Sequence, residues 1–243
     1  MKIPIVWAGP PLILLTGMIG PVVAEAPKDN VLKVPLAADF EVNGRGDSAA
    51  WDKADWVPLG LRSTKGREYK TRVKVLYSKT GLYVLMDADD GVITATMEED
   101  FLDLWNEDVF EFFLWPDERH PVYFEYEISP LGYELPILVP NFGGEYLGWR
   151  PWHYEGPRKI RKATTVSGGL KKSGAEISGW KAEVFLPYEL LKPLQNVPPK
   201  SGTRWRANFY RIDYDHGRTA SWDWARVGSS FHEFRKYGTL VFE

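Results

Sequence analysis

The chain contains no cysteine. That excludes disulfides, thiolate metal sites, a cysteine nucleophile and a lipid-modified N-terminal cysteine. Secretion stays open, because 243 residues can bury enough core without a covalent staple. An excess of one charge is also missing. Lys and Arg total 30 against 33 Asp and Glu, a net charge of −3, which gives no electrostatic reason to expect a nucleic-acid partner. No Gly-x-Ser-x-Gly run, phosphate loop or dinucleotide fingerprint occurs, and the four His residues show no zinc spacing. Helical periodicity is scarce too. Only Met97 to Leu104 and Pro187 to Leu191 read as short helical turns, the second with Pro at a favourable first position.

Rings are what the chain has in plenty. It carries 11 Trp, 12 Tyr and 12 Phe, and so many Trp predict some at a contact surface, since Trp is hard to hide completely. With 44% hydrophobic and 26% charged residues, the composition is that of a folded globular protein.

Residues 3–24 carry no charge, follow Lys2 and end in Val22-Val23-Ala24. This reads as a Sec signal peptide, residues 1–24, cut after Ala24 and directing the protein to the periplasm or outside the cell. A membrane anchor fits less well, because Pro4, Pro10, Pro11 and Pro21 would break backbone bonding that lipid cannot replace. No stable membrane insertion is therefore expected after cleavage. Residues 25–243 are expected to form one domain, since no repeat or low-complexity linker interrupts them.

Along that stretch, period-2 patterns alternate with turns. Lys70 to Tyr77 and Leu82 to Asp87 flank the turn Ser78-Lys79-Thr80-Gly81 as a hairpin. Further strands are predicted at Asp108–Trp115, Tyr123–Ile128, Gly179–Leu186, Arg204–Ile212 and Tyr237–Phe242. Residues 141–160, rich in Gly, Pro and Trp, read as a long loop. Many short strands between Gly/Pro turns predict an all-β fold, an antiparallel, jelly-roll-like β-sandwich. Trp51 and Trp56, ahead of the first hairpin, read as a cover packed onto its edge.

Three constellations could carry chemistry. In Asp108–Trp115, Phe110, Phe112 and Leu114 form one apolar face, while Val109, Glu111, Phe113 and Trp115 share the other, with Trp105 just ahead. In Tyr123–Ile128 the same alternation puts Glu125 and Glu127 on one face. If the two strands are neighbours, Glu111, Glu125 and Glu127 line one surface; if not, each carboxylate simply faces water. The third group is Asn208, Arg211 and Asp213, followed by Trp222. Amides and guanidinium forks suit vicinal hydroxyls, although Arg211 could equally serve as a structural bridge to a strand carboxylate.

In order, Trp51, Trp56, Val73 to Tyr77, Gly81 to Val84, Leu104-Trp105-x-Glu-Asp-x-x-Glu111, Tyr123-Phe124-Glu125, Gly179-Trp180, Asn208 to Arg211, Ser221-Trp222 and Phe231-His232 resemble the family 9 carbohydrate-binding modules and their secreted stand-alone relatives. The resemblance implies a β-sandwich that binds an oligo- or polysaccharide without catalysis, gripping a sugar between two Trp rings, beside glycoside hydrolases in polysaccharide utilisation. Trp105 matches the first ring, Glu111 its polar partner and Trp222 the second ring; Glu127, Asn208 and Arg211 fall near the remaining polar positions. It also implies structural calcium, for which Asp87, Asp89 and Asp90, or separately Glu98, Glu99 and Asp100, offer hard oxygen ligands. The loop with Trp149, Trp152, His153 and Tyr154 has no counterpart in the motif and could reshape or cover the site.

Two other readings remain open on the residues. A glycosidase would use Glu111 with Glu125 or Glu127 as a carboxylate pair. A haem-binding sandwich would draw ligands from Met86 and Met97 and from His120, His153, His216 and His232, none at a diagnostic spacing.

Overall fold

The computed structural model describes residues 30–62 and 68–243. The expected signal peptide lies outside the described residues. In chain order the strands are β1 (Val31–Val34), β2 (Val57–Pro58), β3 (Gly60–Leu61), β4 (Thr71–Tyr77), β5 (Gly81–Asp89), β6 (Val109–Trp115), β7 (Val122–Ile128) and β8 (Glu134–Phe142). There follow β9 (Glu145–Tyr146), β10 (Arg150–Pro151), β11 (Arg161–Ser167), β12 (Gly179–Pro187), β13 (Arg204–Asp213), β14 (Ala220–Asp223) and β15 (Gly238–Phe242).

They form a β-sandwich, as the alternation predicted. One sheet runs β1-β15-β13-β6-β7-β8-β10, with β14 and β9 joined at its sides and β3 on β14; the other runs β11-β12-β5-β4-β2. All pairs are antiparallel except β1 with β15, which is parallel. The main core lies between the sheets. Phe110, Phe112 and Leu114 from β6 meet Val84 and Met86 from β5 and Trp180 from β12, with Phe110 stacked on Trp180 at 3.7 Å.

The second turn is present as a helix over Tyr188–Leu191, with Pro187 as the extended cap before it rather than its first residue. The first is not. Met97 to Leu104 does not form a helix; a 3-10 turn covers Leu104–Asn106 instead. Here Glu107 bends back to accept hydrogen bonds from the backbone N–H groups of Thr96 and Met97 at 2.6 and 3.0 Å, which closes a loop rather than a helix.

The outer faces of both sheets are covered. On the five-stranded sheet, Trp51 packs with Phe40, Tyr83 and Phe185, and its indole donates to Glu183 Oε1 at 2.8 Å. Trp51 thus covers a face rather than an edge. On the larger sheet, Val109, Phe113 and Trp115 of β6 gather Leu104, Val227, Phe234 and Tyr237 from the segments laid over them. This second apolar layer has a gap in it, and the gap is the cavity described next.

Candidate functional site

Strand parity decides what faces the cavity. Glu111 stands opposite Glu127 across β6–β7 and opposite Tyr210 across β6–β13; Phe113 stands opposite Glu125. All of these side chains therefore project from the outer face of the larger sheet. Glu111, Phe113, Glu125 and Glu127 floor a cavity of about 460 Å3 whose walls include Trp105, Tyr146, Trp149, Phe231 and His232.

The walls are held by hydrogen bonds and stacking. Trp105 rides the 3-10 turn ahead of β6, and its carbonyl accepts from Tyr214 Oη at 2.8 Å. The Phe231 carbonyl accepts from the hydroxyls of both Tyr210 and Tyr237 at 2.9 Å, and its ring stacks on Tyr210 at 4.1 Å. His232 Nδ1 shares a 2.7 Å hydrogen bond with Tyr123 Oη and lies 3.7 Å from Glu125 Oε2; its ring stacks on Tyr146 at 4.2 Å. Trp149 meets Trp105 edge to face, with centroids 5.7 Å apart.

The floor is acidic and buried. Glu111, Glu125 and Glu127 are only 2%, 4% and 0% exposed. Glu111 Oε1, Glu125 Oε2 and both Glu127 oxygens are buried without a well-formed hydrogen bond. Burial pushes the Glu111 carboxyl up to about 8. Burial, then the neighbouring carboxyls, raise Glu125 and Glu127 well above the usual carboxylate range. Burial has the opposite effect on His232, lowering it to about 4 and keeping it neutral. The strand carboxylates therefore do not face water. They form a buried cluster of carboxyl groups that holds on to its protons and has oxygens open to a partner.

Three of the residues expected at the site are elsewhere. Trp222 is 2% exposed and packs in the core between the sheets, so it is not a wall of the cavity. Its partner across β13–β14 is Arg211, whose parity opposes that of Tyr210 and Glu111. Arg211 is fully buried and bridges the sheets, donating to Asp89 O at 2.6 Å and Asp213 Oδ1 at 3.0 Å, with Asp90 Oδ2 at 3.1 Å. The structural-bridge alternative was the right one for this residue. Asn208 shares the cavity's face but spends its amide internally: it donates to Ala225 O and Tyr210 Oη and accepts from the N–H groups of Ala225 and Phe209. It positions Tyr210 and has no group left for a ligand.

Residues 141–160 supply what Trp222 does not; they are not one long loop, since the end of β8, the short strands β9 and β10 and a 3-10 turn at Gly156–Arg158 lie within them. Tyr146 and Trp149 line the cavity, while Trp152 donates to Leu190 O at 3.0 Å and Tyr154 bonds the buried Glu134, anchoring the loop's far end. His153 stacks on Phe101. Sequence reasoning missed Tyr146, Phe231 and His232 as cavity walls. The signal was there only as aromatic density between Gly and Ser residues.

The acidic residues expected to bind calcium do not converge. Asp87 pairs with Arg72 at 2.7 Å, and Asp89 accepts from Lys70 N at 3.2 Å. Asp90 instead turns inward, where a carboxylate oxygen of each of Asp90, Asp213 and Asp215 lies within 4.8 Å of the others. There the Arg211 guanidinium pairs with Asp90 and Asp213, and Tyr69 Oη donates to Asp215 at 2.9 Å. Asp100 is engaged separately by Lys162 at 2.9 Å. Among the described residues, Met86 packs in the core between the sheets, while His232 lines the outer-face cavity.

Against this geometry, residues 42–135 match the family described as carbohydrate family 9 binding domain-like, so the resemblance read in the sequence holds. No curated protein matches the chain by sequence. Among solved structures, a provisionally described carbohydrate-binding protein from Bacteroides uniformis superposes with a TM-score of 0.74 at 15% identity, over 88% of this chain and 99% of that one. A family 9 carbohydrate-binding module from Caldicellulosiruptor kristjanssonii, in complex with cellotriose, gives 0.62 at 14% identity, covering 88% and 94%. The same organism's module in complex with glucose gives 0.61 at 14%, covering 87% and 95%. At these identities the likeness shows the fold alone.

Proposed function

We propose that this protein binds a carbohydrate, without turning it over, in the cavity between Trp105, Trp149 and the Glu111–Glu125–Glu127 floor. The observation that carries the reading is the pairing of aromatic walls with buried carboxyl oxygens open to a hydrogen-bond partner. A pyranose offers apolar C–H faces for rings and hydroxyl donors on its edge for carboxylates. The family match over residues 42–135 supports the same class of ligand, and the structural neighbours include modules in complex with cellotriose and with glucose. Trp149, rather than Trp222, is the second ring, and it stands edge to face beside Trp105 instead of facing it across a sugar. Rings plus edge bonds, less the ordering they require, suggest a Kd of roughly millimolar to micromolar.

Calorimetry of the protein against mono- and oligosaccharides, with turnover assayed on every sugar that binds, tests this. Binding that is lost in Trp105→Ala supports it. Hydrolysis of a bound sugar would sink the non-catalytic part and favour the carboxylate-pair glycosidase.

The same proposal includes secretion after cleavage behind Ala24 and a role beside glycoside hydrolases in polysaccharide use. Intact-mass analysis of the exported protein should give Glu25 as the first residue; a mass retaining residues 1–24 would point to an anchor. Calcium, on this proposal, sits at Asp90, Asp213 and Asp215 rather than at Asp87 and Asp89. Adding calcium after chelation should then raise the Tm, and no shift would remove the ion from the account. No helix among the described residues is long and apolar enough to cross a membrane.

A further inference from the structure

The charge balance inside the cavity says more about the ligand than its shape does. Three carboxyl groups lie on its floor, and among the described residues that line it there is no Lys or Arg. Its His232 offers no compensation, because burial holds the ring neutral. The Arg62 guanidinium stands over the Phe231 ring at 4.9 Å but is itself paired with Asp223 at 2.7 Å. A neutral sugar could give hydroxyl donors to these oxygens, yet it would leave the excess of negative charge as it was. Without a ligand, the site relieves that excess by keeping protons, as the raised Glu111 carboxyl indicates. A ligand that brought its own positive charge would take the place of those protons.

The walls favour such a charge as well. Trp105, Trp149 and Phe231 surround the acidic floor, and an indole face attracts a cation, the more strongly where water is excluded. A primary ammonium carries three N–H donors, one for each carboxyl group. Resting on the sugar-binding reading above, we propose that the preferred ligand is a sugar with a free amino group, bound as its ammonium ion by Glu111, Glu125 and Glu127 among the rings of Trp105, Trp149 and Phe231.

The ammonium could belong to a sugar or to another amine, and calorimetry at pH 7 on the full chain separates these. The probes are glucosamine and its β-1,4-linked dimer, the N-acetylated dimer, cellobiose, and butylamine as an amine without a sugar. The glucosamine dimer is expected to bind at least about ten-fold more tightly than cellobiose or the acetylated dimer, a difference of about 1.4 kcal/mol. In buffers of different ionisation enthalpy its binding should release protons, and that of cellobiose should release fewer. Glu127→Gln, which keeps the shape and removes one charge, should shrink the ratio of amino-dimer to cellobiose affinity several-fold. Because proton release is read on the wild-type protein, the test survives a variant that folds poorly.

Equal affinity for the amino and neutral dimers overturns the amine preference and leaves the sugar reading standing. Binding of butylamine with no sugar bound overturns the sugar reading and this proposal with it. No binding by any probe overturns both.

Discussion

Arg211 and Trp222 face each other across the β13–β14 ladder, with the guanidinium 4.8 Å from the indole centroid. The cation lies against the ring inside the sandwich, where Asp90 and Asp213 balance its charge. Trp222→Ala should therefore destabilise the fold by about 3–5 kcal/mol, the usual result of emptying a large buried aromatic site. Thermal melts followed by circular dichroism measure it. Sugar affinity at a temperature where the variant stays folded should be unchanged; a large loss of affinity there would return Trp222 to the site.

Arg211→Met removes the cation and leaves Asp90 buried without its guanidinium. Breaking a buried pair in this way costs about 3–5 kcal/mol. Chemical denaturation at pH 7 should show the loss, and lowering the pH should recover part of it as the carboxyls protonate.

Trp105→Ala and Trp149→Ala should each weaken sugar binding by roughly ten- to a hundred-fold, the equivalent of an aromatic contact of about 1–3 kcal/mol. Trp115 provides the contrast on the same face of β6. Its indole donates to His120 O at 2.9 Å and packs edge-on against Phe234, outside the cavity. Trp115→Ala should lower the Tm and leave the Kd of the folded protein unchanged. Titration calorimetry on folded variants checks all three.

Stability should fall between about pH 6.5 and pH 8. Glu111 is protonated in both states below 4.5; from there to about 8 the folded protein keeps a proton that the unfolded chain gives up, so its contribution to stability declines as pH rises. Asp108, raised to about 8 by burial and by Asp90, acts in the same direction. His232 acts oppositely, since its folded value of about 4 lies below 6.5 and stability is gained as pH rises across that interval. The two trends oppose each other up to pH 6.5, and only the carboxyl trend continues beyond. Glu111→Gln should flatten the decline, raising the Tm at pH 8 more than at pH 6. A wild-type Tm that rises steadily from pH 6.5 to 8 would contradict this.

The sandwich was legible because the alternation in β4 to β7 is strong: Phe110, Phe112 and Leu114 could only be core, and that put Glu111, Glu125 and Glu127 on the far side. What alternation could not reveal was that this far side is roofed. The roof comes from residues 97–105, 143–149 and 226–237, which have no period to read. Strand β8 was hidden by Pro136 and Pro140. Both prolines turn their backbones towards the short strands β9 and β10, where their carbonyls accept from Trp152 and Leu147, so no donor towards β7 is lost. For Trp222 and Arg211 the missing fact was pairing. Each reads as a polar or aromatic surface residue until the β13–β14 register sets both on the inner face.

The parallel pairing of β1 with β15 also bears on how the sandwich responds to force. Val31–Val34 lies beside Thr239–Phe242 in matching direction, tied at one end by Thr239 N to Asn30 O and at the other by Glu243 N to Val34 O, at 2.9 and 3.0 Å. Tension applied between residue 30 and residue 243 pulls these two strands past each other lengthwise. Their bonds are then loaded together in shear instead of opening one after another like a zipper. Held by its two ends against a dragging ligand, the sandwich would resist with its whole terminal seam, and its lifetime would follow the rate of unfolding rather than the equilibrium stability.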